Sequence, residues 1–211
     1  MKIEYISFST RSERSKYIAN KFGKYIEGSL LDVGCDKAVL KTLIPKVDYV
    51  GIDVGGEPDM LVDLEKIEAL PFEDAQFHAV VCSDVLEHID NLHQIFDELV
   101  RVTNKYLIIS LPNNWCNARR PIERGKGQIS FYGLPPVKPL DRHKWFFGLT
   151  EAKTFLETQQ QILPIRIAEL VVNEKPRPAV SRYLRRMRYP IQRRYLNRYS
   201  HTIWVVYEKI S

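Results

Sequence analysis

Residues 70–89, LPFEDAQFHAVVCSDVLEHI, constrain the fold of this chain more than any other stretch. A tight acidic turn after Leu70-Pro71 leads into an apolar run at 78–83, and a helical pattern starts at Leu86. The run is apolar on successive residues, without the in–out alternation of a half-solvated strand, so it reads as a strand covered on both faces. Strands of that kind belong to parallel sheets, and each parallel neighbour needs a crossover connection.

The flanking sequence repeats the pattern. Thr10 and Glu13 have capping-box spacing ahead of a helix near 11–26. Strands follow at 29–34 and 48–53 around a short helix at 37–44, and Met60 to Leu64 reads as a short third strand. The helix from Leu86 runs to about Val102, and KYLIISL at 105–111 is a fifth buried strand, ended by Pro112. A helix at 150–159 and strands at 163–172 and 201–208 complete the chain. The expected fold is α/β, a three-layer sandwich with a mostly parallel sheet.

With 211 residues and 45% hydrophobic content, a single domain over 1–211 is expected. No apolar run approaches the ~20 residues needed to span a bilayer. The N-terminus lacks the apolar stretch of a signal peptide. Cys35, Cys82 and Cys116 form no CxxC pair, so a reducing cytoplasm is expected. The net charge of +5 is local: residues 174–198 hold nine bases against one acid, Glu174, and are +8, leaving −3 elsewhere.

Leu30-Leu31-Asp32-Val33-Gly34-Cys35, then Val50-Gly51-Ile52-Asp53, then the 70–89 run, resemble the class I S-adenosylmethionine-dependent methyltransferases, type 11 group, which includes the ubiquinone and menaquinone biosynthesis enzymes. The resemblance covers roughly 28–112 and implies a Rossmann-like, seven-stranded sheet with an antiparallel last strand. It also implies S-adenosyl-L-methionine as cofactor. Asp53 would take the ribose hydroxyls and Val54 would lie along the adenine. Asp63 and Leu64 would meet the adenine edge, and Asp32, Gly34, Cys35 and Ser83 would surround the methionine moiety. Where that group has glycines, this chain has Asp36 and Ala38. A dinucleotide dehydrogenase would need G-x-G-x-x-G, and from Gly34 both later glycines are missing.

Methyl transfer from a sulfonium needs positioning more than a built reactive centre. A base is required where the acceptor is a hydroxyl, and His143, His88 and Asp84 are the candidates. The histidine spacing matches no zinc motif, so no metal is expected. The stretches 112–149 and 173–199 lie outside the minimal fold and read as the acceptor side. The first mixes Trp115, Phe131, Tyr132 and Trp145 with arginines. The second splits into two basic amphipathic helices around Pro190. The expected reaction methylates a small, glycan-linked or lipid-linked acceptor at oxygen, no exocyclic-amine NPPY motif being present. An anionic membrane surface is the expected partner of the basic segment, ahead of single-stranded nucleic acid, which would make the protein peripheral at the membrane. The rival is a non-catalytic member that uses this segment for binding.

Overall fold

The computed structural model describes residues 1–129, 131–139 and 141–210, leaving aside the Arg120 side chain. Strand β1 (Lys2–Tyr5) precedes helix α1 (Arg11–Phe22), then come β2 (Ser29–Val33), α2 (Val39–Leu43), β3 (Asp48–Asp53) and β4 (Met60–Leu61). After β5 (Phe77–Ser83) a single 3₁₀ turn, Leu86–His88, leads to α3 (Leu92–Val102) and β6 (Thr103–Pro112). Helices α4 (Asn114–Glu123) and α5 (Leu149–Ile162), β7 (Ile165–Glu174), α6 (Ala179–Arg188), α7 (Gln192–Tyr199) and β8 (Ser200–Lys209) complete the order.

The strands form one sheet, ordered β1-β7-β8-β6-β5-β2-β3-β4. All pairings are parallel except those of β8, which runs antiparallel between β6 and β7. The antiparallel last strand is as expected, but the sheet has eight strands where seven were expected. The extra one is β1, pairing with β7 from Lys2↔Val171 to Tyr5↔Glu174. Four residues at the chain start gave no periodic signal; β1 is a strand because β7 offers it an open edge.

Period-2 alternation fills both faces. Leu31, Val80, Cys82, Ile203, Val205 and Tyr207 pack on one side with α3 and α5. Leu30, Ala79, Val81, Trp204 and Val206 pack on the other against Tyr17, Ile18 and Phe22 of α1. The Thr10 cap holds, with its Oγ1 accepting from the Glu13 amide at 3.2 Å. Glu13 reaches back one residue further than expected, accepting from the Ser9 amide at 2.6 Å.

Three other expectations change. The third strand shortens to Met60–Leu61, exposed at the sheet edge. The helix expected from Leu86 breaks after one turn: the Glu87 carbonyl accepts from the Lys144 and Trp145 amides, and the Trp145 indole donates to the Ile89 carbonyl at 2.8 Å. Carbonyls that would propagate a helix are thus taken by a distant segment. The region 112–149, for which no element was expected, contains α4. Both extra stretches start at carboxyl ends of parallel strands, Pro112 and Glu174, beside Gly34, Asp53 and Ser83.

Candidate active site

A cleft of about 660 Å³ opens at this sheet edge. Its lining includes Asp32, Gly34, Cys35, Asp53, Val54, Asp63, Leu64, Ser83, Asp84 and His88, so the structure brings together every expected site residue except His143. In doubly wound sheets the ligand crevice lies at this place.

The loop after β2 is the tightest part. Gly34 has φ +78°, and a Cβ there would sit 2.3 Å from Cγ2 of Val85. Asp36 and Ala38, which stand where glycines were expected, also have left-handed backbone, at φ +51° and +49°. For an alanine this costs about 1–2 kcal/mol. Asp53 holds the strained loop: its Oδ2 accepts from the Asp36 amide at 2.8 Å, and its Oδ1 from the Val54 amide at 2.6 Å. Oδ1 also accepts from the Gly55 amide at 3.4 Å, so of the roughly four lone-pair sites of the carboxylate one, on Oδ2, is left to accept a ligand hydroxyl.

Asp32 lies beneath the loop. It accepts from the Tyr49 hydroxyl at 2.8 Å, and burial, opposed by that bond, raises its carboxyl to about 6. Cys35 is buried beside it, and its thiol is pushed up to about 12, chiefly by burial. Asp63 ends in a turn, with Oδ1 accepting from the Glu65 amide and Oδ2 paired to Lys66 at 2.7 Å. The Lys66 ammonium holds this carboxyl below its usual range. The Val54 side chain is 68% exposed, an apolar wall open to the cleft.

Arg11 and Arg14, which the sequence reading passed over, come from the first turn of α1 and line the same cleft. Arg11 pairs with Asp36 at 3.1 Å, offsetting the charge that replaced a glycine. Arg14 pairs with Asp84 at 2.7 Å. The other Asp84 oxygen accepts from Ser110 Oγ at 2.5 Å, and Ser110 meets Ser83 at 2.9 Å. Asp84 is therefore held on both oxygens, at φ +52°, and works as a fixed strut. The capping box located the start of α1, but nothing in it showed that this turn packs over the cleft.

His143 stands behind His88, their rings 4.4 Å apart, enclosed by Phe131 and Tyr132. The Tyr132 hydroxyl is 2.7 Å from His143 Nδ1. Burial, reinforced by His88, lowers the His143 imidazole to about 4, so it is neutral at pH 7 and a weak base. Glu87, fully buried, lies next to both imidazoles, and burial raises its carboxyl well above the ordinary range. Sequence spacing gave no sign of this Glu87–His88–His143 cluster, because His143 arrives on a separate segment.

The open cleft thus lies where the order β4-β3-β2-β5-β6-β8-β7 switches direction, with Asp53 closing β3. Residues 31–109 match the family model of the methyltransferase domain, type 11. A ubiquinone biosynthesis O-methyltransferase of Pseudoalteromonas translucida (strain TAC 125) is 32% identical over 92 residues; the match covers 36% of this chain and 39% of that relative's length. A crystal structure of an S-adenosylmethionine-dependent methyltransferase from Archaeoglobus fulgidus superposes with a TM-score of 0.60 at 13% identity, covering 95% of each chain. Another from Methanosarcina mazei gives 0.55 at 15% identity, covering 90% of this chain and 96% of that one. Residues 31–109 thus resemble the type 11 methyltransferase domain, and the solved neighbours that share the fold are S-adenosylmethionine-dependent.

The residues present fit that cofactor. The cleft joins an acid with a spare acceptor site, an open apolar wall and two arginines that balance its own carboxylates.

Proposed function

We propose that this protein transfers a methyl group from S-adenosylmethionine to an oxygen of a small, glycan-linked or lipid-linked acceptor. The supporting observation is the cleft that joins Gly34, Asp53 and Val54 to His88, behind which His143 of the 112–149 segment stands. Bound there, the cofactor would supply an electrophilic sulfonium methyl group. Asp53 would accept from the ribose hydroxyls, and Val54, Asp63 and Leu64 would flank the adenine. Backbone at Gly34, Cys35 and Ser83 would face the methionine end above Asp32. Asp84 positions the wall between cofactor and acceptor through Arg14 and Ser110. His88 and His143 form the polar acceptor end, with Phe131 and Tyr132 packed against their rings. Oxygen is favoured by the named O-methyltransferase relative. Calorimetry with S-adenosylhomocysteine tests the reading: saturable micromolar binding is expected, and no binding at millimolar ligand would overturn it. The non-catalytic alternative is not favoured by this site.

A second reading concerns the basic segment. Helix α6 buries none of its residues, and Val180, Leu184 and Met187 line one face, each 60% exposed or more. Arg188, Arg193 and Arg194 are exposed around it. Arg182, Arg185, Arg186 and Arg198 instead lie 4.2–5.1 Å over Tyr5, Tyr199, Tyr195 and Tyr189. Half of the segment's eight arginines are thus held over tyrosines, and the apolar stripe beside the remaining ones fits an anionic lipid surface. Among the described residues no helix is long and apolar enough to cross a membrane. Binding to phosphatidylserine vesicles should be lost in a Leu184→Glu, Met187→Glu double variant; unchanged sedimentation would refute docking.

A further inference from the structure

We propose that Glu87, His88 and His143 form a divalent-cation site of the borderline class (Zn²⁺, Mn²⁺, Co²⁺) at the acceptor end of the cleft. The strongest sign is Glu87. Its carboxyl is 0% exposed, yet neither oxygen has a hydrogen-bond partner among the described residues. A buried carboxylate left in that state is costly unless it pairs with a cation. Oε1 of Glu87 is 3.7 Å from Nε2 of His88, and one ligand atom from each of the three residues lies within 4.8 Å of the others. Ligands 2.0–2.2 Å from a common ion stand about 4 Å apart or less, so a small contraction would close the site.

The surroundings orient both imidazoles. Asp141 Oδ1 is 2.5 Å from His88 Nδ1, and the Tyr132 hydroxyl is 2.7 Å from His143 Nδ1. With Tyr132 hydrogen-bonded to Nδ1 of His143 and the Asp141 carboxylate facing Nδ1 of His88, the second nitrogen of each ring is left to ligate. This is the arrangement in which outer residues fix the tautomer of a metal-bound histidine. The two halves of the site are also joined by backbone: the Lys144 amide donates to the Glu87 carbonyl at 2.8 Å, and Lys144 Nζ pairs with Asp90 at 2.8 Å. Two imidazoles and one carboxylate suit first-row dications better than magnesium or calcium, and three protein ligands leave a position open.

His88 lines the cleft, so that open position faces it. An acceptor hydroxyl bound there would be acidified by the ion and lose its proton to bulk water. The oxygen's lone pair then forms the O–CH₃ bond while the S–CH₃ pair returns to sulfur. This acceptor role rests on the methyl-transfer reading; the cation site does not. It also gives the two histidines a task other than that of a base.

The test uses the full chain, stripped with chelator and titrated with MnCl₂ and ZnCl₂ by calorimetry, with MgCl₂ as contrast and Mn²⁺ followed by electron paramagnetic resonance. One manganese or zinc ion per chain at micromolar affinity is expected. At least a tenfold loss is expected in both Glu87→Gln and His143→Asn. Each variant is checked by circular dichroism and by S-adenosylhomocysteine binding, which should persist. Absence of wild-type binding at millimolar Mn²⁺ and Zn²⁺ would overturn the site, as would equal binding in either folded variant. Tight metal binding without S-adenosylhomocysteine binding would uphold the site and remove the methyl-transfer reading instead.

Discussion

The two ends of the cleft are built differently. At the cofactor end, the functional groups sit on short turns directly after β2, β3 and β5, and their partners come from adjacent strands: Asp53 to Asp36, Tyr49 to Asp32. At the acceptor end, each group depends on a remote one: Glu87 on Lys144, His88 on Asp141, His143 on Tyr132. The first end is a property of strand ends and turn geometry. The second is a property of how one long segment folds back on the sheet.

If the cofactor end is controlled by backbone geometry, its glycine is the most sensitive position. Gly34→Ala would place a Cβ against Val85 and force an alanine to φ +78°. Left-handed strain of about 1–2 kcal/mol plus overpacking of about 1–3 kcal/mol should cost several kcal/mol in urea denaturation. A loss below ~1 kcal/mol would break the comparison.

The next effect is electrostatic. Burial raises the folded Asp32 carboxyl to about 6, whereas an unfolded aspartate ionises near 3.9. Between those values the folded state keeps a proton that the unfolded state has lost. The Asp32 contribution to stability therefore falls as pH rises through the window, by about 3 kcal/mol across two pH units. Asp32→Asn should remove that fall, so its stability relative to wild type should improve from pH 4 to pH 7. A constant difference between the two proteins across this range would show that Asp32 is not the buried acid described.

Asp53→Ala should weaken S-adenosylhomocysteine binding by at least tenfold while the fold survives, since charge-assisted hydrogen bonds are worth about 1.5–3 kcal/mol. Unchanged affinity would sink the ribose assignment. Asp53→Asn, which keeps one acceptor oxygen, should fall between the two.

The smallest effect has the opposite sign. Ala38→Gly relieves left-handed strain at φ +49° of about 1–2 kcal/mol and gives back about 0.4–1 kcal/mol through the more flexible unfolded chain. A net gain of about 0.5–1 kcal/mol in thermal or urea denaturation is expected; a loss would mean that the alanine methyl packs usefully against its neighbours.

Much of the fold was legible because buried parallel strands are written as local apolar runs, and the cofactor end was legible because Gly34 and Asp53 occupy fixed offsets after two of them. The reading erred where a neighbour decided the outcome. β1 exists because β7 has a free edge, and the helix at Leu86 stops because Lys144 and Trp145 take its carbonyls. Ala38 stands where a glycine was expected, and its left-handed backbone is a departure that residue type alone does not reveal.

By itself, then, the sequence determined the strand–helix alternation and the turns that line the cleft, while the antiparallel last strand was implied by the family resemblance. These depend on periodicity and on offsets of a few residues. The tertiary structure alone decided that Arg11 would neutralise Asp36 and that Arg14 would fix Asp84. It also decided that a buried, unpartnered Glu87 would meet two histidines from different segments. Charge pairing and ligand clusters act over a few ångströms in space, and sequence distance carries no record of that proximity.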